Sequence, residues 1–287
     1  MANTREVYNV QRAFYAGDYE TVINTSTNSF SEAAVVYINV LIARAKIILG
    51  RQAEVIKGFS SCTEGDEDYL AVSALAKYTQ GQKVDAVNEI EKLISESSDN
   101  HTVQFIGGII LVSEERLEEA VELLDRDANI EAATLLIQIY LIQNQLETAS
   151  QKIKAISSWA QDNTAFNIAE SWTFFRAGGY DRYQDGFYIY DELCSGGAIT
   201  TKSLLGKIVS QLLLGRLPET ESVVTQALEV DPENPDALIS SISLAILLGQ
   251  SYEEQEEKLK LAAPNHAYVK DLQAKNELFD ELASRVF

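Results

Sequence analysis

Reactive side chains are sparse in this chain, and their spacing limits the chemistry they could support. There are two histidines, His101 and His266, and two cysteines, Cys62 and Cys194. A metal site needs several ligands converging on one point. The histidines lie far apart in the sequence and are read as helix-terminus or surface residues, with no metal between them. Cys62 falls in the acidic turn SSCTEGDED, whose negative charge disfavours the thiolate that a nucleophile requires. GGAITTKS (Gly196–Ser203) has the outline of a phosphate-binding loop. Such a loop needs glycine directly before the lysine so that the backbone can cradle phosphate. Thr201 stands there instead, and no buried strand precedes it. The pairs Gly178–Gly179 and Gly196–Gly197 are read as helix ends. EEQEEK (Glu253–Lys258) offers neighbouring carboxylates, but on an exposed helix with no apolar pocket to raise a pKa, which describes a solvated face. No catalytic constellation emerges, so the expectation is a binding scaffold without cofactor or metal.

The elements that would position any functional group are helices. GRLPETESVVTQALEVDPENPDAL (Gly215–Leu238) carries Leu217, Val223, Val224, Ala227, Leu228 and Val230 at helical spacing. Pro232 stops that helix, Asn234 is placed to cap the next, and Pro235 falls at its first position. The LLLGR joint before it, with Gly215 ending a helix, has counterparts along the chain: AGDYETVI, LGRQAEVI, QGQKVDAVNEI, SEERLEEAVELL, QNQLETASQKI, GGYDRYQDGFYIY and LGQSYEEQEEKL. One position past each joint, occupied by Val22, Val55, Ala86, Ala120, Ala149, Gly186, Thr220 and Glu254, recurs on average about every 33 residues. That spacing matches the ~34-residue period of tetratricopeptide (TPR) repeats, although the Trp near the start of that repeat is absent. The predicted fold is all-α: a TPR-like solenoid of about eight helix hairpins, because one hairpin cannot bury its apolar face alone. Residues 1–265 form the stack in this reading, and 266–287 add a C-terminal capping helix of the same domain. The capping residues would be Tyr268, Val269, Leu272, Leu278, Phe279 and Leu282.

A TPR groove is lined by the first helix of each pair. Counted from the joints, the inward positions are Val7 and Gln11, then Tyr37, Val40 and Arg44, then Ala71, Leu75 and Tyr78, then Phe105 and Ile109, then Thr134 and Gln138. Many are apolar or aromatic, which a water-filled groove would not favour. Either a partner fills the groove, or these residues pack between adjacent repeats.

The chain has 287 residues, 46% of them hydrophobic, with 43 acidic against 23 basic side chains and a net charge of −20. That charge repels phosphate backbones and anionic membrane surfaces, so nucleic acid is not an expected ligand and a partner with a basic contact surface is. The cysteine count fits a reducing compartment. The polar start MANTREVYNVQ is read as no signal peptide, and no run approaches the length of a membrane span.

Several stretches resemble a known family. VYNVQRAFYAGDYETVIN (Val7–Asn24) is similar to the opening of the epsilon subunit of coatomer, the COPI vesicle coat. AESWTFFRAGGYDRYQDGFYIYDEL (Ala169–Leu193) is similar to its central aromatic unit, and HAYVKDLQAKNELFDEL (His266–Leu282) to its C-terminal helix. SSCTEGDEDYL (Ser60–Leu70) departs from the pattern. The resemblance implies a non-enzymatic coat subunit that curls around and stabilises the C-terminal region of the coatomer alpha subunit. It implies a cytoplasmic protein, peripheral on Golgi membranes and COPI-coated vesicles through its partners and an ARF-type GTPase, serving Golgi-to-ER and intra-Golgi transport. The alternatives are a generic TPR adaptor that binds a peptide or chaperone tail through a basic clamp, and an enzyme-associated TPR domain.

Overall fold

A computed structural model describes residues 2–28, 30–125, 129–196 and 199–286. Its regular structure there is entirely helical and falls into eight hairpins. The pairs are α1 (Ala2–Ala16) with α2 (Tyr19–Ile23), α3 (Glu32–Ile48) with α4 (Gln52–Gly58), and α5 (Glu67–Thr79) with α6 (Lys83–Glu96). Next come α7 (His101–Ser113) with α8 (Leu117–Leu124), α9 (Ile130–Ile142) with α10 (Leu146–Ala160), and α11 (Thr164–Ala177) with α12 (Tyr180–Ser195). The last two are α13 (Thr201–Leu213) with α14 (Leu217–Val230) and α15 (Pro235–Leu248) with α16 (Glu253–Ala262), followed by α17 (Ala267–Val286).

Each joint within a hairpin turns on a residue with positive φ: Gly17, Gly50, Gly81, Glu115, Asn144, Gly178 with Gly179, Gly215 and Gly249. A left-handed residue after a helix lets the next amide bond back to a carbonyl of the last turn, as Arg51 does to Lys46, Gln145 to Tyr140 and Gln250 to Ala245, each at 2.8 Å. Glu115, at φ 61°, is the joint residue least suited to that conformation. Glu115→Gly should raise stability by about 0.5–1 kcal/mol, the left-handed cost of an L-residue less the unfolded-state entropy of glycine; the urea midpoint measures it.

Asparagine opens half of the first helices. Asn100, Asn129, Asn163 and Asn234 each accept two backbone amides of the following turn. Asn234 and Pro235 therefore do what the sequence predicts, whereas in the other three hairpins the cap is there without the proline.

The repeat marker holds for seven hairpins. Val22, Val55, Ala86, Ala120, Ala149, Gly186 and Thr220 are buried where the second helix meets its partner. Glu254 is not: it is exposed, because the joint before α16 is longer and the register slips. Leu259 is the buried residue of that helix.

The described packing groups into two compact units, 1–189 and 190–287, divided inside α12. The sequence reading of one stack over 1–265 carries no sign of this division, because no loop or change of composition marks it. In the first unit, clusters centred on Ile38 and Leu41, on Ile90 and Ile106, on Leu124 and Leu136, and on Ile137 and Phe166 follow one another along the hairpins. The second unit has one cluster about Leu204, Ile208 and Val224 and another about Leu238, Ile242 and Leu259.

The capping helix corrects the sequence reading in part. Tyr268 and Val269 of α17 pack on Leu238, Ile242 and Leu259, and Leu272 is half-buried. Leu278, Phe279 and Leu282 are 54%, 70% and 49% exposed. The reason is length: α16 has 10 residues and α17 has 20, so about 15 Å of helix cannot back about 30 Å. Removing 273–287 should therefore leave amide protection across α15 and α16 unchanged. Removing 267–287 should release it, at a cost of about 2 kcal/mol for the uncovered side chains. Hydrogen exchange compares the two, and loss of protection with the shorter deletion would contradict the packing.

Candidate functional site

In the first unit each first helix packs on the next, from α1 through α3, α5, α7 and α9 to α11, and α1 also meets α11. The row of first helices thus closes on itself and surrounds a shared inner face. At its centre is Arg44 of α3, 6% exposed. Its Nη1 donates to Oε1 of Glu131 on α9 at 2.7 Å. The guanidinium lies 4.7 Å from the Phe14 ring centroid and 4.5 Å from that of Phe105. The Tyr15 hydroxyl of α1 donates to the same Glu131 oxygen. One ion pair thereby joins α1, α3 and α9, with rings from α1 and α7 against the cation.

The electrostatics follow from burial. Burial works against the charge on Arg44, but the Glu131 carboxylate outweighs it and raises the pKa above the ordinary value. Burial, then the negative charge of Glu131, holds the Tyr15 and Tyr37 hydroxyls well above the usual phenol range. These groups stay in one charge state throughout the physiological range. They supply packing and hydrogen bonds, not proton transfer.

The structure gives the predicted inward residues different places. Gln11, Tyr37, Arg44 and Phe105 come together around Glu131, with Gln11 hydrogen-bonded to Tyr37. Val7 is half-buried against the α1–α3 cluster, and Ile109 is half-buried between the next two clusters. Val40, Ala71, Leu75 and Tyr78 are buried in one cluster between repeats. The Tyr78 hydroxyl donates to Glu114 at 2.5 Å, and burial with that bond pushes its pKa up to about 12. Thr134 is buried, its hydroxyl donating to the Glu131 carbonyl at 2.9 Å. Gln138 is exposed and lines a cleft of about 410 Å³ with Leu141, Ile142, Trp172 and Arg176. The counting missed Phe14, Tyr15 and Glu131. Glu131 is the acid inside the apolar run NIEAATLLIQIY, and that lone charge was the available signal.

The residues with reactive types take ordinary structural places. His101 opens α7, and its carbonyl accepts from Asn129 at 3.0 Å. His266 precedes α17, its Nδ1 accepting from the Tyr268 amide at 3.3 Å. Burial and Asp66 push the Cys62 thiol up, away from the thiolate. Glu253 and Glu254 are held below the usual carboxylate range by Ser251 and Lys258, the opposite of what a general acid needs. Before GGAITTKS runs the helix α12, not a strand, and Gly197 and Ala198 lie outside the described residues. Thr200 and Ser203 form a capping box at the start of α13. Among the described residues, three or more potential metal ligands nowhere gather, and no helix is long and apolar enough to cross a membrane.

Hairpins with left-handed joints, buried small residues at their crossings and an inner face built from first helices define a TPR-like α-solenoid scaffold. A tetratricopeptide repeat protein from Parabacteroides merdae superposes with a TM-score of 0.57 at 11% identity, over 83% of this chain and 97% of that one. The family model for the coatomer epsilon subunit matches residues 3–287. The probable coatomer subunit epsilon of Schizosaccharomyces pombe is 27% identical over 98% of this chain and 96% of its own length. Coatomer subunit epsilon-2 of Arabidopsis thaliana is 24% identical over 99% and 98%. The chain belongs to the coatomer epsilon subunit family. It is a structural component of the COPI vesicle coat rather than an enzyme.

Proposed function

We propose that the chain binds and stabilises the C-terminal region of the coatomer alpha subunit. On this reading it works in the cytoplasm, peripheral on Golgi membranes through its partners, in Golgi-to-ER and intra-Golgi transport. The observation that carries the reading is the coatomer epsilon match over residues 3–287, which spans every helix of the inner face. Val7, Gln11, Tyr37, Phe105, Ile109 and Gln138 keep surface on or near that face and are the proposed contacts. Val40, Leu75 and Tyr78 are buried between repeats and support the face from behind, and Arg44 is buried at its centre, held by Glu131. A chaperone-tail adaptor would hold its peptide with cations at the centre of that face; Arg44, the cation there, is engaged by Glu131.

The test is calorimetry and thermal unfolding of the full chain with the purified C-terminal region of the alpha subunit. A segment held by the solenoid should bury more than about 2,000 Å² and raise the melting temperature. Absence of both heat and thermal shift would overturn the reading.

A further inference from the structure

The second hairpin is incomplete on its outer side. Helix α4 has 7 residues, short like α2 and α8 at 5 and 8, while α6 of the next hairpin and α10 have 14 and 15. The missing length is about 10 Å, or two turns. In its place the chain runs through the loop from Phe59 to Asp66. Where a full second helix would lie over α5 there is a groove of about 820 Å³ between α4, that loop and α6. Its apolar lining is Ile56, Phe59, Leu70 and Leu93. Phe59 stacks on Tyr69 at 4.8 Å, which fixes one wall. The groove side of α5, carrying Leu70, Ser73 and Lys77, is more than a third of a turn from the side carrying Ala71, Leu75 and Tyr78. It is therefore a different surface from the candidate site above.

The rim gives the charge of the occupant. Glu64, Glu67, Glu89 and Glu96 line the groove against Lys77 and Lys92. Lys77 pairs with Glu89 at 2.6 Å and Lys92 with Glu96 at 3.8 Å. Glu64 and Glu67 remain as an excess of negative charge, within a chain whose net charge is −20.

We propose that this groove is a docking site for a basic amphipathic helix of about two turns from a partner protein, seated where the missing turns of α4 would be. The shape argument selects a helix, because in the next hairpin the full-length α6 packs on the following first helix at the corresponding place. Its apolar stripe would meet Ile56, Leu70 and Leu93, and its lysines or arginines would face Glu64, Glu67 and the exposed Glu96, which Lys92 holds only at 3.8 Å.

The experiment uses the full chain and a fluorescein-labelled, leucine- and lysine-rich amphipathic peptide of about 14 residues, with leucines at i, i+3, i+4 and i+7, followed by anisotropy at low salt. A second peptide has proline at its centre and otherwise the same composition. The helical peptide should bind at least tenfold more tightly than the proline peptide, and Glu64→Lys with Glu96→Lys should weaken it at least tenfold. These are exposed rim positions, so the fold should be kept. Ser73→Trp, which fills the groove floor, should also remove binding. Equal binding of the two peptides would mean simple charge attraction or an extended occupant and would overturn the proposal. So would binding that neither the rim variant nor the filling variant changes.

Discussion

Arg44→Ala should destabilise the first unit by about 3–5 kcal/mol, because it leaves the Glu131 carboxylate buried without its counter-ion. The side chains of the pair are 7% and 15% exposed, so the carboxylate left behind is poorly solvated. The substitution also removes the cation between Phe14 and Phe105 and leaves Tyr15 and Tyr37 near an uncompensated negative charge. Because the pair joins α3 to α9 and Tyr15 adds α1, the loss should be felt where α1 meets α11, as faster amide exchange in both helices. Arg44→Lys should recover only part of the stability, since an ammonium supplies no planar fork or stacking face. Arg44→Met with Glu131→Met should be far milder than the single change, because an apolar pair leaves nothing buried and unpaired. Urea unfolding of the three variants separates these cases. A loss below about 1 kcal/mol for Arg44→Ala would show that the pair behaves as an ordinary surface ion pair.

The same pair shows what the sequence could and could not disclose. Helix hairpins are local objects. Gly17, Gly50, Gly81, Gly215 and Gly249 stand where the chain must turn, and the apolar spacing on either side is read within one window. Arg44 and Glu131 are separated by 87 positions. Their meeting depends on the rotation of each helix about its axis and on the curvature summed over four hairpins, neither of which apolar spacing fixes to the needed angle. The same uncertainty turned Val40, Ala71 and Leu75 into core residues, since a face counted as inward for one hairpin is the face that the next hairpin covers. The far half of the C-terminal helix departs from the capping reading for another reason. Its apolar stripe is real, but a stripe states only that a surface wants cover, and α16 ends before it can provide it.

Glycine gives the sharpest case of one residue type with two meanings. At the joints it supplies positive φ. Gly107, Gly108, Gly186 and Gly206 lie inside helices, and there the missing Cβ makes room for a neighbour. A Cβ at Gly107 would come within 2.9 Å of Ile94, and at Gly108 within 2.7 Å of Leu124. Both neighbours are aliphatic side chains that can shift. Ring neighbours cannot yield so easily, which makes Gly206 the position of largest expected effect.

Gly206→Ala should lower the stability of the second unit by about 1–3 kcal/mol, the usual range for overpacking. Intrinsic propensity points the other way. Alanine is favoured over glycine by about 1 kcal/mol inside a helix, and Gly206 sits in the middle of α13. Contact decides the sign. A Cβ there would lie 2.0 Å from Cε1 and 2.1 Å from Cδ1 of Tyr190, a ring that is only 7% exposed and has little room to retreat. Gly186→Ala meets the half-buried Phe175 at 2.3 Å and should cost less, because that ring has more freedom to turn. Gly58, at the end of α4 with no atom within 4 Å of a built Cβ, is the control and should be neutral or slightly stabilised as alanine. Tyr190→Leu removes the obstructing ring, so in that background Gly206→Ala should recover the propensity gain and turn stabilising. The coupling between the two changes, read from a double-mutant cycle of urea midpoints, should therefore exceed about 1 kcal/mol. Additive single effects would mean that the end of α12 and α13 do not approach as closely as the Gly206–Tyr190 contact requires.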